Sequence, residues 1–298
     1  MDESTTGLMS LTVVFRLGRM SNLPTVWSNT LVGIVLAGGQ LIDPRSTLLI
    51  LIFSLFYVGG MFLNDAFDQK FDAVERPDRP IPSGEVTSRA VFVSGFSLLL
   101  VGLGMVSWVG YGFPNGTGWR PLLGGLFLAG VIIAYDWHHK NNPFSPFLMG
   151  LCRMLVYMTA GFSMVSSPPL IIFFAASILL SYLIGLTYIA KQENLKNVKS
   201  TWPLVFLAAP LVYGVCYAKD GWGEVLLVLC FAAWMVVPLR LLVRQNPGDI
   251  RRAVVCLIAG ISLVDAIFLG SVGALYLSTI AIATFLLTLW LQRFALGT

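Results

Sequence analysis

The residues with the clearest chemical pattern lie directly after the second long apolar run of the chain. Six of its fifteen acidic residues fall between Asp65 and Glu85. Side chains three or four positions apart share a helix face, so Asp65, Asp68 and Asp72 are expected to project together, with Asn64 beside Asp68. Clustered carboxylates repel one another unless a cation lies among them. Mg²⁺ prefers oxygen ligands that it shares with substrate phosphates. The spacing therefore predicts a magnesium site that binds a diphosphate.

Basic residues and prolines follow this acidic stretch. Arg76 and Arg79 come within a turn or a short loop of the last aspartate, and guanidinium groups bind phosphate oxygens through paired, charge-assisted hydrogen bonds. The prolines at positions 77, 80 and 82 and the glycine at position 84 exclude a continuous helix and predict a shaped loop at the membrane surface. The alternative interpretation is a solvated loop of mixed charge.

The composition is that of a polytopic membrane protein. Apolar residues make up 56% of the 298 residues and charged residues 11%, with a mean hydropathy of +0.80, far outside the range of soluble domains. A helix needs about 20 apolar residues to cross the hydrocarbon core. The predicted helical spans are residues 23–39, 47–63, 89–110, 122–134, 147–165, 170–190, 204–217, 224–242, 253–269 and 274–291. The predicted fold class is an all-α integral membrane protein.

Lysine and arginine are distributed unequally between alternate loops. The even-numbered loops and the segment before the first span hold most of them, while the other loops hold little more than Arg45, Arg120 and Lys219. The positive-inside rule then predicts that the N-terminus and the two motif loops, about residues 64–88 and 190–201, face the cytoplasm. Ten spans would return the C-terminus to the cytoplasm, whereas nine would leave it outside.

The pattern Asn-Asp-x-x-Asp-x-x-x-Asp from Asn64, followed by Arg-Pro-x-Arg-Pro-Ile-Pro-Ser-Gly from Arg76, resembles the UbiA superfamily of intramembrane prenyltransferases. The opening Arg16-x-x-Arg19-x-x-Asn22 is a weaker part of the same resemblance, which extends over nearly the whole span layout. It implies one transmembrane domain over residues 1–298. It also implies a bundle of nine to ten transmembrane helices around a central cavity that opens to lipid.

The resemblance further implies an activity. In such proteins Mg²⁺ and a polyprenyl diphosphate bind in the cavity, loss of diphosphate gives an allylic cation, and the cation alkylates an acceptor, often an aromatic ring. By resemblance, the catalytic residues of the first metal site are Asn64, Asp65, Asp68 and Asp72. The candidates for binding the diphosphate are Arg76, Arg79, Lys140, Arg153 and Lys191.

The second aspartate-rich motif of the family is expected near residues 190–201, and this chain departs from it. Only Glu193 is acidic there, beside the amides of Gln192 and Asn194. Amide oxygens can bind a metal but add no negative charge, so a second Mg²⁺ would be held weakly. Lys191 would then meet the diphosphate directly. This departure resembles UbiA-like proteins of the bacterial ebo gene cluster, which implies a bacterial plasma membrane.

The segment after the fourth span carries several polar side chains. UbiA-like enzymes often place groups that meet the diphosphate at the positions of Tyr135 and Lys140, although interfacial anchoring and positive-inside topology explain these residues equally well. The adjacent His138 and His139 point to different sides of any helix and make a poor metal pair. We therefore expect both histidines in a solvated loop.

Three of the polar residues inside predicted spans are candidates for a specific role. Arg153 is energetically costly at its depth unless it faces the cavity or an acidic partner, which makes it a candidate for binding phosphate. Asp265 and Asn29 each have two interpretations. Asp265 is either a functional group or a partner in an interhelical hydrogen bond, and Asn29 either faces the diphosphate or serves helix packing.

Together these features predict a membrane prenyltransferase that uses Mg²⁺ to transfer a prenyl group from a prenyl diphosphate to an aromatic or other small acceptor. The alternative is a non-catalytic protein on the same fold that binds an isoprenoid or metabolite, or that takes part in transport. Such a protein would have kept the first motif and lost turnover with the second. No nucleic-acid partner is expected, because membrane topology accounts for most of the formal charge of +4.

Overall fold

The computed structural model describes residues 9–140, 142–192, 202–218, 221–244 and 246–294. Within these ranges the backbone forms helices and no β-strand. Two short helices, α1 (Leu11–Leu17) and α4 (Gln69–Glu75), lie outside the predicted spans. The other helices are α2 (Pro24–Leu36), α3 (Pro44–Phe67), α5 (Ser88–Tyr111), α6 (Arg120–His138), α7 (Ser145–Met164), α8 (Leu170–Ala190), α9 (Ala209–Tyr217), α10 (Trp222–Arg244), α11 (Asp249–Ser271) and α12 (Leu275–Leu291). The all-α fold class is confirmed.

Each of the ten predicted spans coincides with a helical element. In the part of the chain that the structure describes, seven helices are long and apolar enough to cross a membrane, namely α3, α5, α6, α7, α8, α10 and α11. The other three elements are shorter: α2 has 13 residues, α12 has 17, and α9 continues a 3-10 helix at Trp202–Ala208. A 13-residue helix is only about 20 Å long. Nearly all of α2 is buried, so it is covered by protein.

Contacts between loops show which helix ends lie together. At one end of the bundle, Arg45 donates to the carbonyl oxygens of Asn115 at 2.9 Å and Ser163 at 3.2 Å, which joins the start of α3 to the third loop and to the end of α7. At the other end, Lys140 of the fourth loop lies 2.9 Å from Asp68 of the second. The chain therefore crosses back and forth between two ends, as the alternation of basic loops predicts.

The last apolar stretch is divided where the sequence indicates. α11 and α12 are separated near Gly273, whose φ of +76° is a backbone conformation that favours glycine. α12 returns beside α11 and α2. Just after its last turn, Gln292 donates to Asn22 Oδ1 at 3.0 Å. The end of α12 thus lies at the same end of the bundle as the start of α2.

The close contact between α2 and α7 depends on a glycine. A Cβ atom at Gly33 would lie 2.7 Å from the Ala160 Cβ atom and 2.7 Å from the Tyr157 carbonyl oxygen. Small residues allow such close approach between membrane helices, where van der Waals packing drives association. Asn29 lies one turn earlier on the same face of α2. The glycine therefore brings Asn29 against α7.

A cavity of about 250 Å³ lies between α2, α3, α6, α7, α8 and α11. Much of its wall is apolar and includes Phe53, Phe56, Leu128 and Val156. Polar side chains line the part nearest the end of α3, among them Arg19 and Asp136. We call this space the central cavity.

Candidate functional site

The acidic motif lies at the junction of α3 and α4. α3 ends at Phe67, and Asp68 is both the last cap of α3 and the residue before α4. The Asp68 N–H donates to the Asn64 carbonyl at 3.0 Å, so the helical path is nearly continuous. The three aspartates nevertheless do not share one partner. Asp65 and Asp72 both contact Arg79. Asp68 contacts His139 and Lys140 instead.

Arg79 lies between two of the aspartates. Its Nη1 atom donates to Asp65 Oδ1 at 3.1 Å and to Asp72 Oδ2 at 2.6 Å. Asp65 is 5% exposed and Asp72 is 2% exposed, and carboxylates buried to this degree require a paired cation. Burial raises the pKa of Asp72 above its ordinary value, and the charge of Arg79 opposes that rise without cancelling it. The proline-rich loop therefore serves to return Arg79 to the motif.

Arg19 holds the motif from the other side. Its Nη2 atom lies 3.1 Å from Asn64 Oδ1 and 3.1 Å from Asp65 Oδ1. Arg19 has a φ of 43°, and no other non-glycine residue in the described ranges has a positive φ. The left-handed conformation costs an L-residue about 1–2 kcal/mol, and here the Tyr57 hydroxyl donates to the Arg19 carbonyl at 3.2 Å. Strained backbone of this kind clusters at functional sites.

Arg16, three residues earlier, fixes the proline-rich loop to α1. Its Nη1 atom donates to Glu85 Oε1 at 2.7 Å, and its Nη2 atom donates to the Asp78 carbonyl at 2.5 Å. The pattern Arg16-x-x-Arg19 therefore has a physical basis. One arginine holds the loop, and the other holds the acidic motif.

Asp68 is paired with residues that follow α6. Lys140 Nζ lies 2.9 Å from Asp68 Oδ1 and 3.3 Å from the centre of the Phe71 ring, and His139 Nε2 lies 3.4 Å from Asp68 Oδ2. Burial alone would raise the pKa of Asp68, but its interactions with His139 and Lys140 outweigh burial, so the pKa lies below its ordinary value. Lys140 is thus part of the site, and the group it meets here is a carboxylate of the motif.

The expectation of two solvated histidines is wrong for His139. Its ring stacks on Tyr135 with the centroids 5.0 Å apart, while its Nε2 atom faces Asp68. His138 is exposed, as expected. Helical spacing could have predicted this contact, because Tyr135 and His139 are four positions apart at the end of a span and would share one helix face.

Asp136 belongs to the polar segment after the fourth predicted span, and no role was predicted for it from the sequence. It lines the central cavity, is 3% exposed, and accepts a hydrogen bond at Oδ1 from Asn64 Nδ2 at 3.1 Å. Its Oδ2 atom has no hydrogen-bond partner among the described residues. The sequence signal for Asp136 was its position at the end of an apolar span. Carboxylates are rare in membrane helices, and those present usually have a function.

Positive side chains line the central cavity at several points. Arg19, Arg76 and Arg153 all contribute to its wall. Arg76 directly follows α4, and the guanidinium carbon of Arg153 lies 5.6 Å from the centre of the Tyr57 ring. The predicted role of Arg76 and Arg153 in binding phosphate stays a prediction.

Asn29 and Asp265 lie behind the cavity wall and are fully buried. Asn29 Nδ2 donates to the two carboxylate oxygens of Asp265 at 3.0 and 2.9 Å, and the Tyr157 hydroxyl donates to the same carboxylate. The structure thus favours the interhelical hydrogen bond for both residues. Asn29 does not face the cavity, because its amide is used between α7 and α11.

Lys191 is turned away from the cavity. Its Nζ atom donates to the Asn142 carbonyl at 2.6 Å and to Ser145 Oγ at 2.9 Å, at the start of α7. Burial lowers the pKa of Lys191. Thr187, one turn earlier on α8, does line the cavity. Lys191 is therefore a link between loops in this structure.

The predicted second acidic site falls on residues that are described only in part. Gln192 is 5% exposed, and its side-chain amide lies 3.4 Å from the Tyr188 carbonyl. Glu193 and Asn194 lie outside the described residues. The weakness expected of a second metal site stays a prediction.

The donor set of the motif fits magnesium chemically. Asp65, Asp68 and Asp72 offer hard oxygen ligands, and Asn64 lies beside them. Asp136 adds a buried oxygen with unused hydrogen-bonding capacity. Within the ranges that the structure describes, no three acidic, histidine or cysteine side chains form a ready-made metal cage. The motif carboxylates are instead paired with basic side chains of the chain itself. A metal would replace one or more of these pairs.

Several archaeal proteins are similar to this chain in sequence. A digeranylgeranylglyceryl phosphate synthase of Methanopyrus kandleri is 33% identical over 128 residues, which cover 43% of this chain and 44% of that protein. The protein of the same description from Pyrococcus horikoshii is 36% identical over 121 residues, which cover 38% of this chain and 41% of that protein. The chain thus matches less than half the length of these relatives.

Solved structures share the fold. A UbiA homologue from Aeropyrum pernix K1 in the apo state superposes with a TM-score of 0.64 and 12% identity, over 85% of this chain and 98% of that one. A UbiA homologue from Archaeoglobus fulgidus, bound to GPP and Mg²⁺, gives a TM-score of 0.60 with 12% identity, over 92% of this chain and 99% of that one. At this level of identity the likeness establishes architecture alone.

The family model described as "UbiA prenyltransferase family" matches residues 26–254. That range contains the acidic motif, the proline-rich loop, Asp136 and Arg153. It includes well over half of the 298 residues, and most of the residues that line the central cavity fall inside it. The chain therefore belongs to the UbiA prenyltransferase family.

Proposed function

We propose that this protein is an integral membrane prenyltransferase, which transfers a prenyl group from a prenyl diphosphate to a small acceptor and requires Mg²⁺. One observation carries the proposal. The apolar central cavity has Arg19 and Arg76 on its wall. Arg19 contacts Asp65, and Arg79 joins Asp65 to Asp72. A prenyl chain requires an apolar wall, a diphosphate requires cations, and Mg²⁺ requires carboxylates. All three requirements meet in one place.

In this proposal the side chains around the cavity have different roles. Phe53 and Phe56 belong to the wall against which the prenyl chain lies. The N–H groups of Arg19, Arg76 and Arg153 bind phosphate oxygens. When Mg²⁺ is bound by Asp65, Asp68 and Asp72, it stabilises negative charge on the departing diphosphate as a Lewis acid.

The reaction breaks the bond between the prenyl carbon and the diphosphate oxygen, and the electron pair leaves with the diphosphate. The acceptor supplies the electron pair of the new bond and releases a proton. The apolar wall excludes water, so the allylic cation is not hydrolysed before the acceptor reacts. The faces of Phe53, Phe56 and Tyr57 stabilise positive charge electrostatically.

The basic partners of the motif suggest how ligand binding begins. Arg79 forms ion pairs with Asp65 and Asp72 in this structure, and Lys140 forms one with Asp68. We infer that Asp65 and Asp72 would hold Mg²⁺, and that Arg79, released from these aspartates, would be free to bind the diphosphate. This exchange of partners would keep the buried carboxylates paired with a cation throughout.

The acceptor is proposed only as a class. The names of the relatives describe a product with geranylgeranyl groups on a glyceryl phosphate, which makes an acceptor hydroxyl on a glyceryl phosphate one candidate. An aromatic acceptor, expected from the family resemblance, is the other. The proposed enzyme is a single transmembrane domain over residues 1–298, and by the positive-inside rule its motif end faces the cytoplasm.

A non-catalytic binder is the second candidate function. Two observations favour it. The second motif keeps Glu193 as its single acidic residue between positions 190 and 201, and Lys191 is engaged with Asn142 and Ser145 instead of lining the cavity. Such a protein would bind an isoprenoid diphosphate at the first motif without releasing diphosphate.

The test uses purified protein in detergent or nanodiscs with Mg²⁺ and geranyl diphosphate (GPP). We expect GPP to bind and diphosphate to be released when a glyceryl phosphate or aromatic acceptor is added. Asp68→Ala should abolish Mg²⁺-dependent binding. Asp78→Asn removes an exposed carboxylate of the same loop and should leave binding unchanged. Lys191→Gln should change GPP affinity less than Arg76→Gln, because Lys191 does not line the cavity.

Three outcomes separate the candidates. Asp68-dependent binding with diphosphate release supports the enzyme. Asp68-dependent binding without release from any acceptor supports the binder. If GPP and longer prenyl diphosphates do not bind, or bind equally well to Asp68→Ala, both candidates fail.

A further inference from the structure

Arg153 is a cation on the wall of the central cavity whose nearest partners are neutral. Its Nη1 atom donates to Asn29 Oδ1 at 2.8 Å, and its Nη2 atom donates to Thr25 Oγ1 at 3.0 Å. Among the described residues, no carboxylate forms an ion pair with its guanidinium. Charged side chains inside membrane bundles are energetically costly, and most of them pair with an opposite charge or with backbone carbonyls.

The nearest candidate for that charge is Asp265, on the other side of Asn29. The Asn29 carbonyl oxygen faces Arg153, and its NH₂ group donates to the Asp265 carboxylate at 3.0 and 2.9 Å. The amide dipole is therefore aligned between a cation and an anion. Tyr157, on the same helix as Arg153, donates to Asp265 as well.

Packing alone does not require a carboxylate at this position. α2 and α11 are already joined by the pair Ser28 and Ser262, whose hydroxyl oxygens lie 3.1 Å apart. A buried ion is energetically expensive, and an apolar residue of similar size often stabilises a protein at least as well. The charge of Asp265 is explained by the need to balance and orient Arg153.

We propose that Asp265 is a positioning residue that acts through Asn29 on Arg153. Asp265 and Asn29 fix two of the guanidinium donors from behind, which leaves its remaining N–H groups to bind an anionic oxygen of a ligand in the central cavity. The ligand's identity as a prenyl diphosphate rests on the proposed function. The coupling between Arg153, Asn29 and Asp265 does not depend on the proposed function.

The first test is a double-mutant cycle on the affinity for GPP in the presence of Mg²⁺. We expect Arg153→Gln to weaken binding at least tenfold and Asp265→Asn or Asn29→Ala to weaken it to a similar degree. In the double variant Asp265→Asn/Arg153→Gln, binding should be no weaker than in Arg153→Gln alone, because Asp265 has no other route to the ligand. If Asp265→Asn weakens binding by the same factor with and without Arg153, the proposal is overturned.

Tyr182→Phe is the matched control. The Tyr182 hydroxyl is fully buried and donates to the Leu257 carbonyl of α11 at 2.8 Å, so this variant also removes a buried hydrogen bond to α11. Tyr182 does not line the cavity. We expect its GPP affinity to stay within twofold of the unmodified protein. A loss as large as that of Asp265→Asn would indicate a merely structural role for both residues.

The second test measures thermal unfolding without ligand and decides the coupling independently of the proposed function. Asp265→Asn leaves the Arg153 charge unbalanced and should lower the unfolding midpoint, and adding Arg153→Gln should raise it again. Additive losses would contradict the proposal. If Asp265→Asn does not fold, folding of the double variant still supports the coupling, and failure of both variants contradicts it. Failure of the unmodified protein to bind GPP would overturn only the proposed function.

Discussion

At the scale of single residues, the acidic motif depends on one shared guanidinium nitrogen. Arg79 Nη1 meets both Asp65 and Asp72, and all three side chains are less than one-sixth exposed. Without Arg79, two buried like charges would lie near each other with less compensation. A bound cation is the natural substitute, so the stability of the motif and its affinity for a metal are linked.

We therefore expect Arg79→Gln to lower the free energy of unfolding by about 3–5 kcal/mol, the usual effect of removing one partner of a buried ion pair. Mg²⁺ should recover more of the thermal midpoint in this variant than it adds to the unmodified protein, because the aspartates are then free to bind it. The measurement is thermal unfolding in EDTA and in Mg²⁺. Arg89→Gln, at an exposed position, is the control. Equal effects of Mg²⁺ on the Arg79→Gln and unmodified proteins would exclude a metal site at these aspartates.

The sequence predicted the motif but not most of its partners. The spacing from Asn64 to Arg79 indicates hard oxygen ligands and cations because these residues are close along the chain. Arg19 is 46 positions from Asp65, and its reach depends on a left-handed backbone that no pattern indicates. Asp136 meets Asn64 only because α3 packs beside α6. Contacts that depend on helix packing are not encoded in local spacing.

At the scale of helices, α2 is the element on which the cavity depends most. It is too short to cross the hydrocarbon core alone, yet it contacts α3, α7, α11 and α12. Hydropathy predicted a span here, and the structure shortens it because the helix ends at Leu36 before the glycine pair at positions 38 and 39. The burial of nearly every α2 side chain could not be read from its composition, since lipid and protein are both apolar surroundings.

Gly33→Ala tests the close contact of α2 with α7. The new methyl group would lie 2.7 Å from Ala160 Cβ and the Tyr157 carbonyl, so we expect a loss of about 1–3 kcal/mol from overpacking. Displacement of α2 should also move Asn29 away from Arg153 and weaken GPP binding. Thermal unfolding and GPP titration measure the two effects.

Gly104→Ala is the control for this prediction. A Cβ atom at Gly104 of α5 would meet no atom within 4 Å, and alanine is a better helix former than glycine by about 1 kcal/mol. This variant should be as stable as the unmodified protein or more so. If Gly33→Ala is equally stable, the contact between α2 and α7 is more adaptable than the structure indicates.

At the scale of the whole molecule, a buried arginine joins several elements at the end opposite the motif. Arg45 is 7% exposed, donates to the Asn115 and Ser163 carbonyls, and forms an ion pair with Asp43 at 2.7 Å. Hydrogen bonding from Arg45 holds the pKa of Asp43 below its ordinary value. The contacts of Arg45 are separate from the candidate site. Their contribution to stability can therefore be measured independently of ligand binding.

Because the folded-state pKa of Asp43 is depressed, its contribution to stability is present above the unfolded pKa, about 3.9, and is lost as pH falls through the lower folded value. We expect Asp43→Asn to lower the thermal midpoint at pH 7 and to show a smaller further loss between pH 5 and pH 3. GPP affinity at pH 7 should not change. Asp78→Asn, which removes an exposed carboxylate at the motif end, is the control. Parallel pH profiles of the Asp43→Asn and unmodified proteins would contradict this assignment.

The link from Arg153 through Asn29 to Asp265 also bears on how the chain is made. Synthesis proceeds from the N-terminus, so α2 and α7 leave the ribosome before α11. Until α11 enters the membrane, the arginine and the asparagine lack the carboxylate that balances them in the finished bundle. The bundle therefore completes its polar interior late in biosynthesis. A chain that lacked α11 would leave the Arg153 guanidinium without that carboxylate at the centre of the bundle.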